Sequence, residues 1–247
     1  MDTETTYRLN KFVSNSGVTS RRKAADLVKA GKIKVNGEVE VNPAVIVTEK
    51  DIVEYEGKVL NPIKNLVYLL LNKPKGVVTT MEDEQGRKTV WNIVESKVKE
   101  RIFPIGRLDM YTTGLLLLTN DGDLTQKLSH PSHKVKKIYQ VSLSAPLSEE
   151  DKKAIEKGIL LDDGVAEVDG ISYVSGEDKT EIGLEIHMGK NRVIRRIFES
   201  LNYRIERLDR VYYAGLTKKD LPRGWSRFLS EKEIIMLKHF TNTPHSE

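Results

Sequence analysis

Apolar positions along the chain change period several times, and the changes mark its elements. Leu9, Phe12 and Val13 fall at helical spacing, and Ser14-Asn15-Ser16-Gly17 ends that helix. Ser20 is placed to cap a second helix from Arg21 to Ala30, with Ala24, Leu27 and Val28 as its buried stripe and Gly31 as its stop. The period then drops to two. Ile33 and Val35 alternate with Lys32 and Lys34, Asn36-Gly37 makes a tight turn, Val39 and Val41 resume the alternation, and Ile52 to Tyr55 gives a further strand before Glu56-Gly57. Residues 7–60 thus form a unit of about sixty residues, near the lower size of a self-standing domain. Asn61-Pro62-Ile63-Lys64-Asn65 breaks the pattern and reads as a linker over 61–65.

A second, larger unit spans 66–240. Leu66 to Leu71 is a nearly continuous apolar run, Asn72 to Gly76 a turn, and Val77 to Thr80 a second strand. Met81 to Lys88 is polar and expected to be mobile, and Val90 to Val94 suggests a short amphipathic helix. Ile102, Phe103 and Ile105 lead into a polar segment, Gly106 to Gly114, and Leu115 to Leu118 lead out of it. A loop pinned by two core strands gives a reactive side chain little freedom to wander, and Asp109 is its only carboxylate. Asp123 is expected to cap a helix through Leu124 and Leu128, which His130-Pro131 stops. Lys137 to Leu143, Val168 to Val174 and Ile182 to Met188 read as strands. Ser148 caps a helix with an acidic first turn, and Asp162-Asp163-Gly164 makes a hairpin turn. Gly189 feeds a basic helix ending near Leu201, and the stretch from Leu216 to Trp225 closes the sheet. A last helix from Glu231 to Lys238 buries Ile234, Ile235 and Leu237, and 241–247 is an expected disordered tail. The fold class predicted is α+β: a small N-terminal α+β domain, then a larger α+β domain with a mixed, mainly antiparallel sheet.

Composition excludes several chemistries. The 247 residues hold no cysteine, so disulfides, zinc-thiolate sites and thiol nucleophiles are absent. No apolar run approaches the roughly eighteen residues of a membrane span, and the polar start Met1 to Thr6 lacks a secretory pattern, so a cytoplasmic location is expected. His130 and His133 have no third ligand in the pattern and read as loop residues, leaving no metal site. The net charge is only +4, but it is unevenly placed. Residues 8–37 carry eight Lys or Arg against one acid, and residues 190–227 carry eleven against four, a surplus of seven in each. Two such regions are the footprint of a polyanion binder.

Residue patterns alone leave Asp109 either a turn cap or a reactive group. Gly106-Arg107-Leu108-Asp109 followed by Thr-x-Gly-Leu-Leu-x-Leu-Thr-x-Asp-Gly resembles the signature of the pseudouridine synthases, in particular the RsuA/RluB-type branch acting on ribosomal RNA. The resemblance implies Asp109 as catalytic nucleophile, Tyr139 of Lys137-x-Tyr139 as the ring that stacks on the target uracil, Arg195 as the cation paired with Asp109, and Leu208 as an apolar pocket wall. Arg107 joins them as a substrate-binding residue. Lys73-Pro-x-Gly resembles the first family motif, a structural turn beneath the site. Val193 departs from the family, which often has glutamine there. Asp209, in a second Arg-Leu-Asp, lacks the subsequent Thr-x-Gly and reads as structural. Residues 7–60, with Arg-Leu-Asn-Lys-Phe, Ser-Arg-Arg-Lys-Ala-Ala-Asp-Leu and Gly-Lys-Ile-Lys-Val-Asn-Gly, resemble an S-four-like RNA-binding module.

That resemblance implies that Arg21, Arg22, Lys23, Lys32 and Lys34 face structured RNA, and Arg8, Lys11, Arg192 and Arg196 are the further RNA-binding candidates. The expected function is isomerisation of a specific uridine in ribosomal RNA, free or in a precursor particle, by a monomer with no cofactor. The run Asp121-Gly-Asp-Leu-x-x-x-Leu-x-His-Pro-Ser132 points to the large subunit. A non-catalytic ribosome-assembly factor would need both basic regions but not Asp109, Tyr139 and Arg195 together. A two-carboxylate glycosidase would need a second acid that does not stand out.

Overall fold

In the computed structural model, which describes residues 5–63, 65–174 and 179–239, the chain divides between Leu66 and Val67 into two units. The tail at 241–247 and Lys64 of the expected linker lie outside the described residues. The first unit runs β1 (Thr6–Arg8), α1 (Leu9–Asn15), α2 (Arg21–Lys29), β2 (Ile33–Val35), β3 (Glu38–Glu40), β4 (Ile46–Thr48), β5 (Val53–Tyr55) and β6 (Lys58–Leu60). The Ser20 side chain accepts from the Lys23 amide and starts α2, whose Ala24 and Val28 pack with Leu9, Phe12 and Val13 of α1 over Ile33 and Val53. The strands lie in the order β3-β2-β5-β6, with β1 paired separately to β4. Val39 and Val41, expected to resume a buried alternation, are exposed instead. Val39 stands directly opposite Lys34 and shares its solvent face, while Val41 falls beyond the end of β3. After β6 the chain returns to α1, where the Ile63 amide donates to the Asn15 carbonyl (2.8 Å).

The second unit contains β7 (Tyr68–Lys73), α3 (Trp91–Val94), β8 (Phe103–Pro104), β9 (Thr113–Thr119), α4 (Gly122–Ser129), β10 (Lys137–Leu143), α5 (Glu149–Lys157), β11 (Ile159–Leu161), β12 (Gly164–Ala166), β13 (Gly170–Tyr173), β14 (Glu181–Ile186), α6 (Val193–Ser200), β15 (Ile205–Tyr213), β16 (Leu216–Thr217), β17 (Ser226–Phe228) and α7 (Glu231–Lys238). Its sheet has the order β13-β14-β10-β15-β9-β7-β17, with β16 on β15 and β8 on β9. Among the named strands only β9 and β15 pair in parallel, so the sheet is mixed and mainly antiparallel and the molecule α+β. The continuous apolar runs of β7 and β9 are explained by burial on both faces. Leu69, Leu71, Leu116 and Leu118 join α6 residues Ile194, Ile197 and Phe198 in one core. Tyr68, Leu70, Leu115 and Leu117 join Leu124 and Leu128 of α4 and Leu237 of α7 in the other. Each fully buried leucine contributes about 1.5–3 kcal/mol. No helix among the described residues is long and apolar enough to cross a membrane.

Three local expectations are corrected. Val77 to Thr80 is not a strand: Gly76, at φ +81°, turns the chain away, and only a single bridge joins Val78 to Thr89. The cap of α4 is Asp121, whose side chain accepts from the Asp123 and Leu124 amides, so Asp123 lies within the first turn. On α7, Leu237 is buried and Ile234 packs on the core, but Ile235, one residue round the helix from Ile234, is 52% exposed.

Candidate active site

The segment between β8 and β9 is shaped from several sides. Gly106 adopts φ +70°, and the Thr112 amide donates to the Asp109 carbonyl (3.0 Å) to close a tight turn. Beneath it lies Lys73, the last residue of β7, with no exposed surface. Its ammonium donates to the carbonyls of Thr112 (2.9 Å), Asp109 (3.1 Å), Pro74 (3.2 Å) and Met110 (3.3 Å). Burial pushes the Lys73 pKa down to about 8, Asp109 opposes that shift, and Arg223 adds to it. The Gly76 amide donates to the Met110 carbonyl (2.8 Å), and the Thr79 hydroxyl to the Leu108 carbonyl (2.7 Å). At the exit, Gly114 has φ +106°, and a Cβ there would meet the Arg210 carbonyl oxygen at 2.3 Å. Only glycine lets β9 run this close to β15.

Asp109 opens into a cleft lined also by Arg107, Thr112, Lys137, Tyr139, Arg192, Arg195, Leu208 and Arg210. The Arg195 Nε lies 3.7 Å from the Asp109 carboxylate, an ion pair rather than a hydrogen bond. Val193, Ile194, Ile197 and Phe198 bury the apolar face of α6, which leaves Arg195 at the cleft. Burial, and then Arg192, lower the Arg195 pKa, while Asp109 and Glu199 raise it. Tyr139 and Leu208, 7% and 5% exposed, turn what surface they keep towards the cleft. Lys137 donates to the His187 carbonyl (2.6 Å), and burial, assisted by Arg210, takes its pKa down to about 8 against the pull of Asp169. The cleft therefore sets one accessible carboxylate among several cations, with an aromatic ring and an aliphatic wall: a site for a flat, uncharged ring attached to an anionic chain.

An RNA pseudouridylate synthase family model matches residues 67–200. The chain belongs to that family. An S4 domain model matches residues 8–53. Ribosomal large subunit pseudouridine synthase B of Bacillus subtilis (strain 168) is 39% identical over 94% of this chain and 95% of its own length. An RNA pseudouridine synthase of Aquifex aeolicus (strain VF5) is 38% identical over 93% of each chain. A pseudouridylate synthase crystal structure, 28% identical, superimposes with a TM-score of 0.66 over 93% of this chain and 99% of that one. The chain is thus an RNA pseudouridine synthase of the RsuA/RluB type, an isomerase, with an N-terminal S4 domain.

In the synthase, Arg107, Asp109, Tyr139, Arg192, Arg195 and Leu208, named from the sequence, line the same cleft. Arg8, Arg21, Arg22, Lys23, Lys32 and Lys34 are exposed on the first unit, and Lys11 is half-buried there. Arg192, at φ +47° before α6, pairs with Glu199 at 3.6 Å. Arg196 turns to the β11–β12 hairpin, where its guanidinium donates to Asp162 (2.9 Å) and Asp163 (3.1 Å). Much of the basic surplus at 190–227 is likewise engaged internally. Lys218 and Arg223 bind Asp209, Arg227 binds Glu233, and Arg207 binds Glu181.

Asp209 also accepts from the Thr113 hydroxyl (2.8 Å). Its burial, which raises the pKa, is outweighed by the hydrogen bonds from Arg223, Lys218 and Thr113, which hold it at about 2. Its neighbour Arg210 was not singled out from the sequence, because a buried arginine in a strand has no local signature, while Thr112 and Lys137 stood in motifs whose spacing does not say that they line the cleft. Lys73 sat in a motif, but its spacing does not say where the ammonium points.

Proposed function

We propose that the synthase converts one specific uridine of large-subunit ribosomal RNA to pseudouridine. The observation that carries this is the Asp109 carboxylate held 3.7 Å from Arg195 in a cleft walled by Tyr139 and Leu208. The similarity to a ribosomal large subunit synthase over nearly the whole of both chains supports the choice of RNA. The target base is enclosed in the RNA stack, so it is extruded, and the few kcal/mol of unstacking are offset by stacking on Tyr139 and by phosphate contacts. Asp109 is the nucleophile at the ribose C1′. The N1–C1′ bond breaks, the base turns within the cleft, C5 bonds to C1′ as Asp109 leaves, N1 gains a proton, and the C5 hydrogen passes to solvent. Arg195 places positive charge beside the working carboxylate, and Leu208 packs on the base. Residues 7–60 form the RNA-binding domain, ahead of a linker and the catalytic domain, and Arg8, Lys11, Arg21, Arg22, Lys23, Lys32 and Lys34 contact phosphates. Arg107 and Arg192 extend that contact at the cleft rim. Arg196 reaches RNA only by exchanging its hairpin acids.

Ribosomal RNA labelled with tritium at uracil C5 tests the reading, since forming the new bond expels that hydrogen. Release is expected from large-subunit RNA or its precursor particle, with the product mapping to a single position. Release from small-subunit RNA alone would overturn the substrate assignment. Release from neither would overturn ribosomal RNA as the substrate of this synthase.

A further inference from the structure

Two residues at the cleft each carry a buried side-chain atom with no hydrogen-bond partner among the described residues: Arg210 Nη2 and Thr112 Oγ1. Both residues line the cleft, and each is only 3% exposed. Buried polar groups in folded proteins are nearly always paired, so an unpaired one at a binding cleft marks a place for a ligand atom. The rest of the Arg210 side chain is fixed. Its Nε donates to the Leu115 carbonyl (2.7 Å), and its guanidinium lies over the Tyr213 ring, 4.5 Å from the centroid. Arg210 is also the register partner of Tyr139 across β10 and β15, two residues beyond Leu208 on the same strand face. A ring held between Tyr139 and Leu208 therefore presents an edge towards Arg210. Thr112 lines the same cleft, three residues after Asp109 on the loop that Lys73 clamps.

We propose that Arg210 and Thr112 read the hydrogen-bonding edge of the extruded pyrimidine, a role that rests on the cleft being the uracil pocket. A guanidinium has only donors and stays protonated, so its free Nη2 requires an acceptor. Uracil offers carbonyl oxygens at positions 2 and 4 with an N3–H between them. Arg210 donates to one carbonyl, and the Thr112 hydroxyl, both donor and acceptor, bonds at the adjoining ring position. Cytosine would set an amino group where uracil has its 4-carbonyl, and its N3 carries no hydrogen. A buried site that hydrogen-bonds one partner discriminates strongly against another that leaves its groups unpaired. A backbone phosphate is the rival acceptor, but Arg210 is nearly fully buried within the sheet, which favours the inserted base.

The test compares wild type, Arg210→Lys, Thr112→Val and Thr112→Ser on the mapped large-subunit RNA fragment, made with uridine, 2-thiouridine or 4-thiouridine at the converted position. The readout is the rate of C5 tritium release. Sulfur accepts hydrogen bonds weakly, so wild type is expected to lose about tenfold in kcat/KM on at least one thio substrate. Arg210→Lys and Thr112→Val should be slower on uridine by about 10- to 100-fold, and at least one of them should no longer distinguish sulfur from oxygen. Thr112→Ser should keep the wild-type pattern. The free Thr112→Val protein should melt at least as high as wild type, because the hydroxyl it loses is unpaired before RNA binds.

If Arg210→Lys does not fold, the Thr112 pair decides alone. The proposal is overturned if wild type ignores both sulfur substitutions, if the variants retain the full sulfur effect, or if Thr112→Val melts several degrees lower. It is also overturned if the variants lose binding equally on all three RNAs with a reduced salt slope, which marks a phosphate contact. Wild type inactive on every ribosomal RNA would instead overturn the proposed ribosomal RNA substrate and not this assignment.

Discussion

Lys73 shows how a residue outside the reacting group sets the geometry of the site. Its buried ammonium is bonded to the Asp109 and Thr112 carbonyls, so Lys73→Met, which keeps the stem and removes every donor, should lower kcat by at least about 100-fold, from a misplacement of the order of 1 Å. The pKa of about 8, against an ordinary 10.5, fixes a sign. A depressed lysine contributes stability that is present above 10.5 and lost as pH falls through 8, so this group favours the fold more as pH rises from 8 to 10.5. Over the same range it loses the charge that clamps the loop. Activity is therefore expected to decline above about pH 8 with no parallel fall in melting temperature. A kcat profile flat to pH 10 would contradict it.

The two Arg-Leu-Asp sequences separate at this scale as well. Asp209, itself buried, accepts from the partly exposed Lys218 and Arg223, so Asp209→Asn should cost about 1–3 kcal/mol in urea unfolding while the remaining folded enzyme still turns over. Sequence distinguished the two by their downstream neighbours, since Thr-x-Gly comes after Asp109 and not after Asp209. It did not show the cations around Asp209, which come from residues up to 14 positions away.

Among the elements, β7 and β9 were legible because continuous apolar runs between turn signals have few other solutions. Their neighbours were not. The contact of β9 with β15 joins Gly114 to Arg210, and nothing local to either segment announces it. The strands β1, β4 and β6 were not marked by the alternation and turn signals that revealed the equally short β2 and β3. Gly114→Ala tests the β9–β15 contact. The added Cβ would meet the Arg210 amide nitrogen and carbonyl oxygen at 2.5 and 2.3 Å, and the backbone conformation alone costs about 1–3 kcal/mol. The urea midpoint should fall, and activity should fall further than stability because Asp109 lies in the loop leading into the displaced strand and Arg210 pairs with it. An unchanged midpoint would show that the strands do not approach as described.

For the whole molecule, the two basic stretches of the sequence differ in how they are used. The basic surplus at 8–37 is displayed by exposed Arg21, Arg22 and Lys23, whereas much of that at 190–227 is taken up by Asp162, Asp163, Glu181, Asp209 and Glu233. Counting cannot tell a displayed cation from a paired one. Arg21→Ala with Arg22→Ala should therefore weaken RNA binding and reduce its salt slope by up to roughly two contacts' worth, with kcat at saturating RNA unchanged. Asp109→Asn bears most directly on the central claim. The loop is anchored through the Asp109 carbonyl and not its carboxylate, so the amide should leave the fold and the RNA affinity near wild type while removing the anion proposed to attack the ribose. With ribosomal RNA tritiated at uracil C5, Asp109→Asn is expected to bind normally and release tritium only at background. Release at the wild-type rate would contradict the account.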